Sequence, residues 1–324
     1  MNPDKPFRTY DEQIEILRKR NVVITDEQFD KDCLSSISYY SLINGYKNLF
    51  PVNDEDKFIN PINFNDFYLL NFLDRNMNNI IFKYIIMIEK KLKTAMAYRI
   101  SEKYGVETNL KIKINKDPID NLSVTHYRND NKTHNTITSV NAAAEFSKKE
   151  SIKHYKEKHN HLPCWILMNG IYFGLAIRLY LILTPDDKEY ICNHMINNNK
   201  LSIAEKKSFV FKSLTILREY RNNIAHGNRT FSNLIDERLP KKLVLRLSNG
   251  GLTKTDYAKG IGKNDIFAVI LAICNFIDED NKKIFIDELK SVFRVFNNIV
   301  FSTNQNVFEI LSLPHDFIDR LNKL

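Results

Sequence analysis

The chain has 324 residues, 43% of them hydrophobic, with only 9 glycines and 9 prolines. That is enough apolar material for a sizeable core, and too few turn formers for an all-β fold. With 47 Lys and Arg against 39 Asp and Glu, the net charge is +8, a balance that favours anionic partners, nucleic acid before an anionic membrane surface.

The opening stretch, MNPDKPFRTYDEQ, lacks an apolar h-region and predicts no signal peptide. Residues 9 to 20 read as an amphipathic helix, with Thr9 and Glu12 spaced as a capping box and Ile14, Ile16 and Leu17 as apolar positions. A second helix is expected to start at Thr25 or Asp26. The aromatic segment SYYSLINGYKNLF follows and ends near Pro51. Its Tyr39, Tyr40 and Tyr46 suit either base stacking or a core with a polar rim.

From Phe64 to Tyr104 no proline interrupts a helical pattern that ends at Gly105, a suitable C′ residue. Phe72, Asn76, Ile80, Tyr84, Met87, Lys91 and Ala95 form one row, with Ile81, Ile85, Ile88 and Leu92 beside it. Residues 106–160 turn polar and Asn/Thr-rich, then basic, and read as an insertion or flexible arm. Its lysines, Lys148, Lys149 and Lys153, suit phosphate contacts or a solvated loop. Leu162 to Leu183 reads as one core helix. It is long enough for a membrane span, but Asn169 and Arg178 near its middle argue for a buried bundle helix. A short helix is expected after Pro185, an Asn-rich turn at 197–200, and a helix from Leu201 to about Ala225. KKLVLRLSNGG suits a strand or a short helix, and helices are expected over Asn264–Ile277 and from Asp287 onward. The expected fold is mainly α: an N-terminal helical region over 1–60, a helical bundle over 61–236 that carries the insertion, and a C-terminal helical region over 237–324. The cysteines Cys33, Cys164, Cys192 and Cys274 show no CxxC or zinc-finger spacing. They read as reduced thiols, suiting a cytoplasmic protein.

The most concentrated chemistry is REYRNNIAHGNRTF, residues 218–231, with Arg221-Asn222-Asn223-Ile224-Ala225-His226 in the form Arg-x4-His. As a bare pattern it is weak: roughly one Arg-x4-6-His match is expected by chance in such a chain, and Arg128…His134 supplies one with no helix predicted to hold it. The match at Arg221 closes an apolar helix with Gly227 just after it. Cations are favoured at a helix C-terminus on structural grounds alone, yet Asn222 and Asn223 are poor helix formers. On a regular helix, positions five apart point about 140° apart, so Arg221 and His226 meet only if the helix unwinds or a second copy supplies the facing half. Arginine, amide and histidine without paired carboxylates suit RNA cleavage by the 2′-OH. Histidine exchanges the proton and guanidinium holds the phosphate. The chain carries no HExxH, DxD, GxxxxGK[ST] or GxSxG pattern. No metal and no cofactor is expected.

At these residues the chain resembles the HEPN superfamily, and within it the Abi-like abortive-infection proteins of the AbiD/AbiF type. The resemblance runs through KPFRTYDEQIEILRKRNVVI, SYYSLINGY, IEKKLKTAMAYRI, LPCWILMNGIYFGLAIRLY, LREYRNNIAHGNRTF, NDIFAVILAICNFI and LSLPHDF in that order. It implies a HEPN-type bundle acting as a metal-independent endoribonuclease, usually a homodimer, with Arg221, Asn222 and His226 as catalytic residues. It also implies RNA as substrate and a small noncoding RNA as a possible partner. Glu89 stands where the family carries an acid on the long helix, and is expected to pair with Arg218 or Arg221. Lys90, Lys93 and Arg229 are further candidates for RNA contact, although Gly227-Asn228-Arg229 departs from the stricter pattern of relatives. Three readings stay open: a nuclease, an RNA-binding module without catalysis, and a protein-interaction bundle.

Overall fold

The computed structural model describes residues 5–109, 116–159, 161–196, 201–231 and 234–324. Its first helix, α1 (Tyr10–Lys19), starts on the predicted capping box: Thr9 accepts from the Glu12 amide while the Glu12 carboxylate accepts from the Thr9 amide at 2.8 Å. Asp26 caps α2 (Glu27–Ile37). Between them β1 (Val22–Val23) pairs in parallel with β2 (Ile62–Asn63), Val22 opposite Ile62, the only sheet among the described residues. The aromatic segment coils into a short π-helical turn and a 3₁₀ turn. Tyr46 is buried there, stacked on Phe231, and so is no base platform, whereas Tyr40 is exposed.

The axis of the molecule is α3 (Phe64–Tyr104), 41 residues and about 60 Å long. Its end at Gly105, with φ of +84°, is the one the sequence predicts. The buried row is Leu70, Leu73, Met77, Ile81, Tyr84, Ile88, Leu92 and Ala95, with Ile85 and Met96 beside it. Tyr84 and Ala95 of the predicted row lie in this seam, as do Ile81, Ile88 and Leu92 expected beside it, whereas Phe72 and Met87 fall off it and are substantially exposed.

The insertion is not a flexible arm over its described part. Asp130 caps α4 (Asn131–Glu145), which buries Ile137, Val140 and Ala144, and α5 (Glu150–Lys158) buries Ile152. These residues recur at helical spacing within a polar background, so α4 lies against the apolar surface of α7. Residues 110–115 and 160 of the insertion, and the turn expected at 197–200, lie outside the described residues.

The expected single helix over 162–183 is two helices, α6 (Cys164–Gly170) and α7 (Phe173–Ile182). Gly170 sits under α5, where an added Cβ would lie 2.7 Å from Ile152 Cδ1. The break frees the Ile171 carbonyl, which accepts from Lys93 Nζ at 2.6 Å. Among the described residues no helix is long and apolar enough to cross a membrane.

Thr184 caps α8 (Pro185–Met195). Buried Asp187 on α8 accepts from Arg99, Lys103 and Tyr104 of α3 at 2.9 to 3.2 Å. Burial pushes its carboxyl up, but these partners and Thr184 outweigh it and hold it below the ordinary range. α9 (Ile203–Ala225) follows from a second capping box, Ser202 and Glu205.

The C-terminal region is helical throughout. It comprises α10 (Lys241–Leu247), settling KKLVLRL as helix, then α11 (Lys254–Ala258), α12 (Ile266–Phe276) and α13 (Glu279–Phe296). Two short helices, α14 (Val307–Ile310) and α15 (Phe317–Leu321), close the chain. α13 starts eight residues before Asp287, because Asp278 accepts from the Asn281 amide and caps it earlier. Helices α6, α8, α9, α12 and α13 all pack on α3, so the fold is mainly α, around one central helix.

Candidate functional site

Arg221 and Asn222 lie near the C-terminal end of α9, and His226 is its C-cap residue. The end is a Schellman turn: Gly227 N–H bonds to the Ile224 carbonyl and Asn228 N–H to the Asn223 carbonyl, both at 3.0 Å. Gly227 has φ of +69°, the left-handed geometry the turn needs. The helix is regular up to Ala225, so Arg221 and His226 do not converge within the chain. Arg221 lines a cleft between α3 and α6, whereas His226 is exposed at the helix end.

The cleft has a volume of about 590 Å³. α3 supplies Glu89, Lys90 and Lys93 on one side, and Lys149, just ahead of α5, reaches it from another. Lys93 Nζ lies 2.6 Å from Glu89 Oε1, one turn back along α3. Arg221 Nε is buried with no hydrogen-bond acceptor among the described residues. The cleft therefore holds four cations and one carboxylate, and that carboxylate is committed to a lysine.

Glu89 accordingly does not pair with Arg218 or Arg221, as the sequence suggested. The i,i+4 spacing to Lys93 is the closer partner, and α9 presents Arg218 elsewhere. Arg218 donates to Glu219, at 3.1 Å from Nε, and faces a separate cleft with Asn223 and Glu237. Arg229 turns inward and donates to the Gly45 carbonyl, tying the chain after α9 to the N-terminal region. Lys148 and Lys153 are exposed near α5, outside the cleft. The second Arg/His pair stays apart from all of this: Arg128 pairs with Asp130 at 3.5 Å, and His134 does sit in a helix, the first turn of α4.

Behind the helix end lies a buried polar group that the sequence did not single out. Asp74 of α3 accepts from Thr230 Oγ1 at 3.0 Å, from the Thr230 amide, and from Tyr46 OH at 3.2 Å. Burial pushes its carboxyl up to about 6 against these hydrogen bonds. Thr230 lies just past the turn that ends α9, so Asp74 fixes where the chain leaves that helix. Sequence reading also passed over Trp165 and Tyr98, which line the cleft and are 48% and 58% exposed. The available signal was a Trp in the first turn of an apolar helix that ends in Asn169-Gly170.

Among the described residues no three His, Cys, Asp or Glu side chains gather as a metal site. Residues 32–232, from within α2 to just past the Arg/His segment, match the family described as Abi-like protein. The chain belongs to the Abi-like family. The match takes in α3, α6 and the end of α9, hence every residue of the cleft, and links this Abi-like protein to abortive-infection defence. No curated protein and no solved structure matches it.

Proposed function

We propose that this Abi-like protein is a metal-independent endoribonuclease of HEPN type, of the AbiD/AbiF branch, acting as a homodimer in abortive infection against phage. The observation that carries the reading is Arg221. Its Nε is buried without an acceptor, in a cleft where Lys90, Lys93 and Lys149 add positive charge and Glu89 is already paired. The rest of the guanidinium lines the cleft with no salt-bridge partner among the described residues, and suits a phosphate oxygen entering there.

In this reading the 2′-OH attacks the adjacent phosphorus, the P–O5′ bond breaks, and a 2′,3′-cyclic phosphate and a 5′-OH result. Arg221 offsets charge on the phosphoryl oxygens. His226 takes the 2′-OH proton or delivers one to the departing 5′-oxygen, and Asn222 supplies a polar contact beside them. Because one chain keeps Arg221 and His226 apart, the working site draws Arg221 from one copy and His226 from another. The test is incubation of the purified protein with RNA in EDTA, with termini analysed. Cyclic phosphate and 5′-OH ends are expected, and His226→Ala and Arg221→Ala each remove them. Cleavage that survives His226→Ala overturns the assignment.

A second reading, a protein that holds a structured noncoding RNA without cutting it, is favoured by the exposed Lys148 and Lys153 beside the cleft and by the +8 charge. Sequencing the RNA that copurifies with wild type and with His226→Ala separates the two. A discrete species with both, and no turnover by wild type, selects the second.

A further inference from the structure

The cleft at Arg221 has aromatic walls as well as a charged rim. Trp165 sits in the first turn of α6 and leaves 48% of its surface open, the only tryptophan in the chain. Tyr98 of α3 lies on the same cleft and is 58% exposed. It is held from behind: its ring stacks on Tyr190 of α8, with centroids 6.3 Å apart and planes 8° apart. Tyr190 in turn carries the Arg99 guanidinium 5.0 Å from its centroid. Tyr98 is therefore a fixed aromatic wall.

Other aromatics of the chain, Tyr40 and Phe146 among them, are exposed singly, but these two share one cleft and the rim around them is cationic. A purely protein partner matches the aromatic part of this surface but leaves the cations Lys90, Lys149 and Arg221 to be desolvated. A nucleic acid matches both, since bases stack on aromatics while phosphates meet cations. The base must be unpaired, because a duplex hides both faces of every internal base in its own stack. A volume of 590 Å³ lies in the range that ligands of nucleotide size fill.

We propose that Trp165 is a base-stacking residue, with Tyr98 as the supporting wall, and that the cleft selects single-stranded RNA by taking one unpaired base between phosphates held by Lys90, Lys149 and Arg221. The inference rests on the reading of the cleft as an RNA site. It does not depend on proton transfer by His226, so the two are tested apart.

Because Trp165 is the only tryptophan, fluorescence excited at the red edge, beyond the absorption of the 15 tyrosines, reads this position. The probe is a 2′-O-methyl oligonucleotide of about 12 nucleotides, within the span such surfaces cover. Its blocked 2′ oxygen cannot attack the phosphate. It is added to the full-length protein as a single strand and, separately, annealed to its complement, with affinity followed by the anisotropy of an end label. The expected result is that the single strand quenches Trp165 and the duplex does not. Trp165→Ala is expected to weaken single-strand binding about 5- to 150-fold, the effect of losing one stacked base, and Trp165→Phe to keep most of the affinity.

Single-strand binding without quenching overturns the proposal, as do equal quenching by the duplex, unchanged affinity in Trp165→Ala, and no binding. Fluorescence that changes with protein concentration alone, and no further with RNA, assigns the aromatic face to a second copy of the chain and also overturns it. A protein that stacks the oligonucleotide but never cuts RNA keeps this inference and loses the nuclease reading. A protein that cuts RNA with Trp165 unmoved does the reverse.

Discussion

Lys93 holds Glu89 at 2.6 Å and the Ile171 carbonyl at the same distance, so one ammonium both neutralises the only acid that lines the Arg221 cleft among the described residues and closes the break between α6 and α7. Two consequences separate. If Glu89 served to orient Arg221, removing its charge would weaken RNA binding. With Glu89 paired to Lys93, Glu89→Gln instead frees a positive charge in the cleft. Binding of single-stranded RNA is expected to tighten, with a salt slope steeper by up to about one unit for the one added positive charge. A titration at two salt concentrations checks this, and weaker binding in Glu89→Gln restores the orienting role.

The separation of Arg221 and His226 makes a genetic prediction. In a two-fold dimer with sites shared across the interface, a mixed dimer of Arg221→Ala and His226→Ala chains contains one site with both residues intact and one with neither. Random mixing of the two inactive proteins is then expected to restore about a quarter of wild-type activity, since half the dimers are mixed and each has one working site. Cleavage assays on refolded or co-expressed mixtures measure it. Mixtures as dead as either parent place the whole site within one chain.

What the sequence made legible was mostly local. Thr9 with Glu12, Asp26, Gly105 and Gly227 all sit at helix ends because a cap depends only on its own first or last turn. The length of α3 followed from its unbroken pattern. The break at 171–172 was hidden because no proline marks it, and the close approach of Ile152 to Gly170 comes from a different helix. The helices of the insertion were obscured by Asn and Thr, although Ile137, Val140 and Ala144 carried the spacing. The candidate site divided in the same way. The Arg221–His226 segment was visible as a motif at a helix end. Its juxtaposition with Lys93, Lys149, Trp165 and Tyr98 was not, since it arises where α3, α6 and the start of α5 meet. Glu89 went to the wrong partner because family analogy outweighed the plain i,i+4 geometry.

Gly227 is a test of the helix end alone. An added Cβ meets no atom within 4 Å, but φ is +69°. Gly227→Ala is therefore expected to cost about 1–2 kcal/mol purely through the backbone, lowering Tm by about 2–4 °C. Gly227→Asn is expected to cost less, since Asn tolerates the left-handed region. Thermal melts of the two variants check the order, and an equal loss in both points to a cause other than the turn.

Asp74 sets a pH dependence with a definite sign. Its carboxyl is raised from 3.8 to about 6 by burial, although Thr230 and Tyr46 donate to it. The folded chain therefore binds this proton more tightly than the unfolded chain does. Between those two values stability from this group falls as pH rises, and above about 6 the full cost is present. Asp74→Asn keeps an acceptor for Thr230 and removes the charge. It is expected to raise stability by up to about 3 kcal/mol at pH 8, the equivalent of roughly two pKa units, and by little near pH 4. Denaturant melts of wild type and Asp74→Asn at the two pH values decide it. A stability difference that does not grow with pH means that Asp74 is ionised in the fold across the whole range, and that its hydrogen bonds, rather than its burial, set its state.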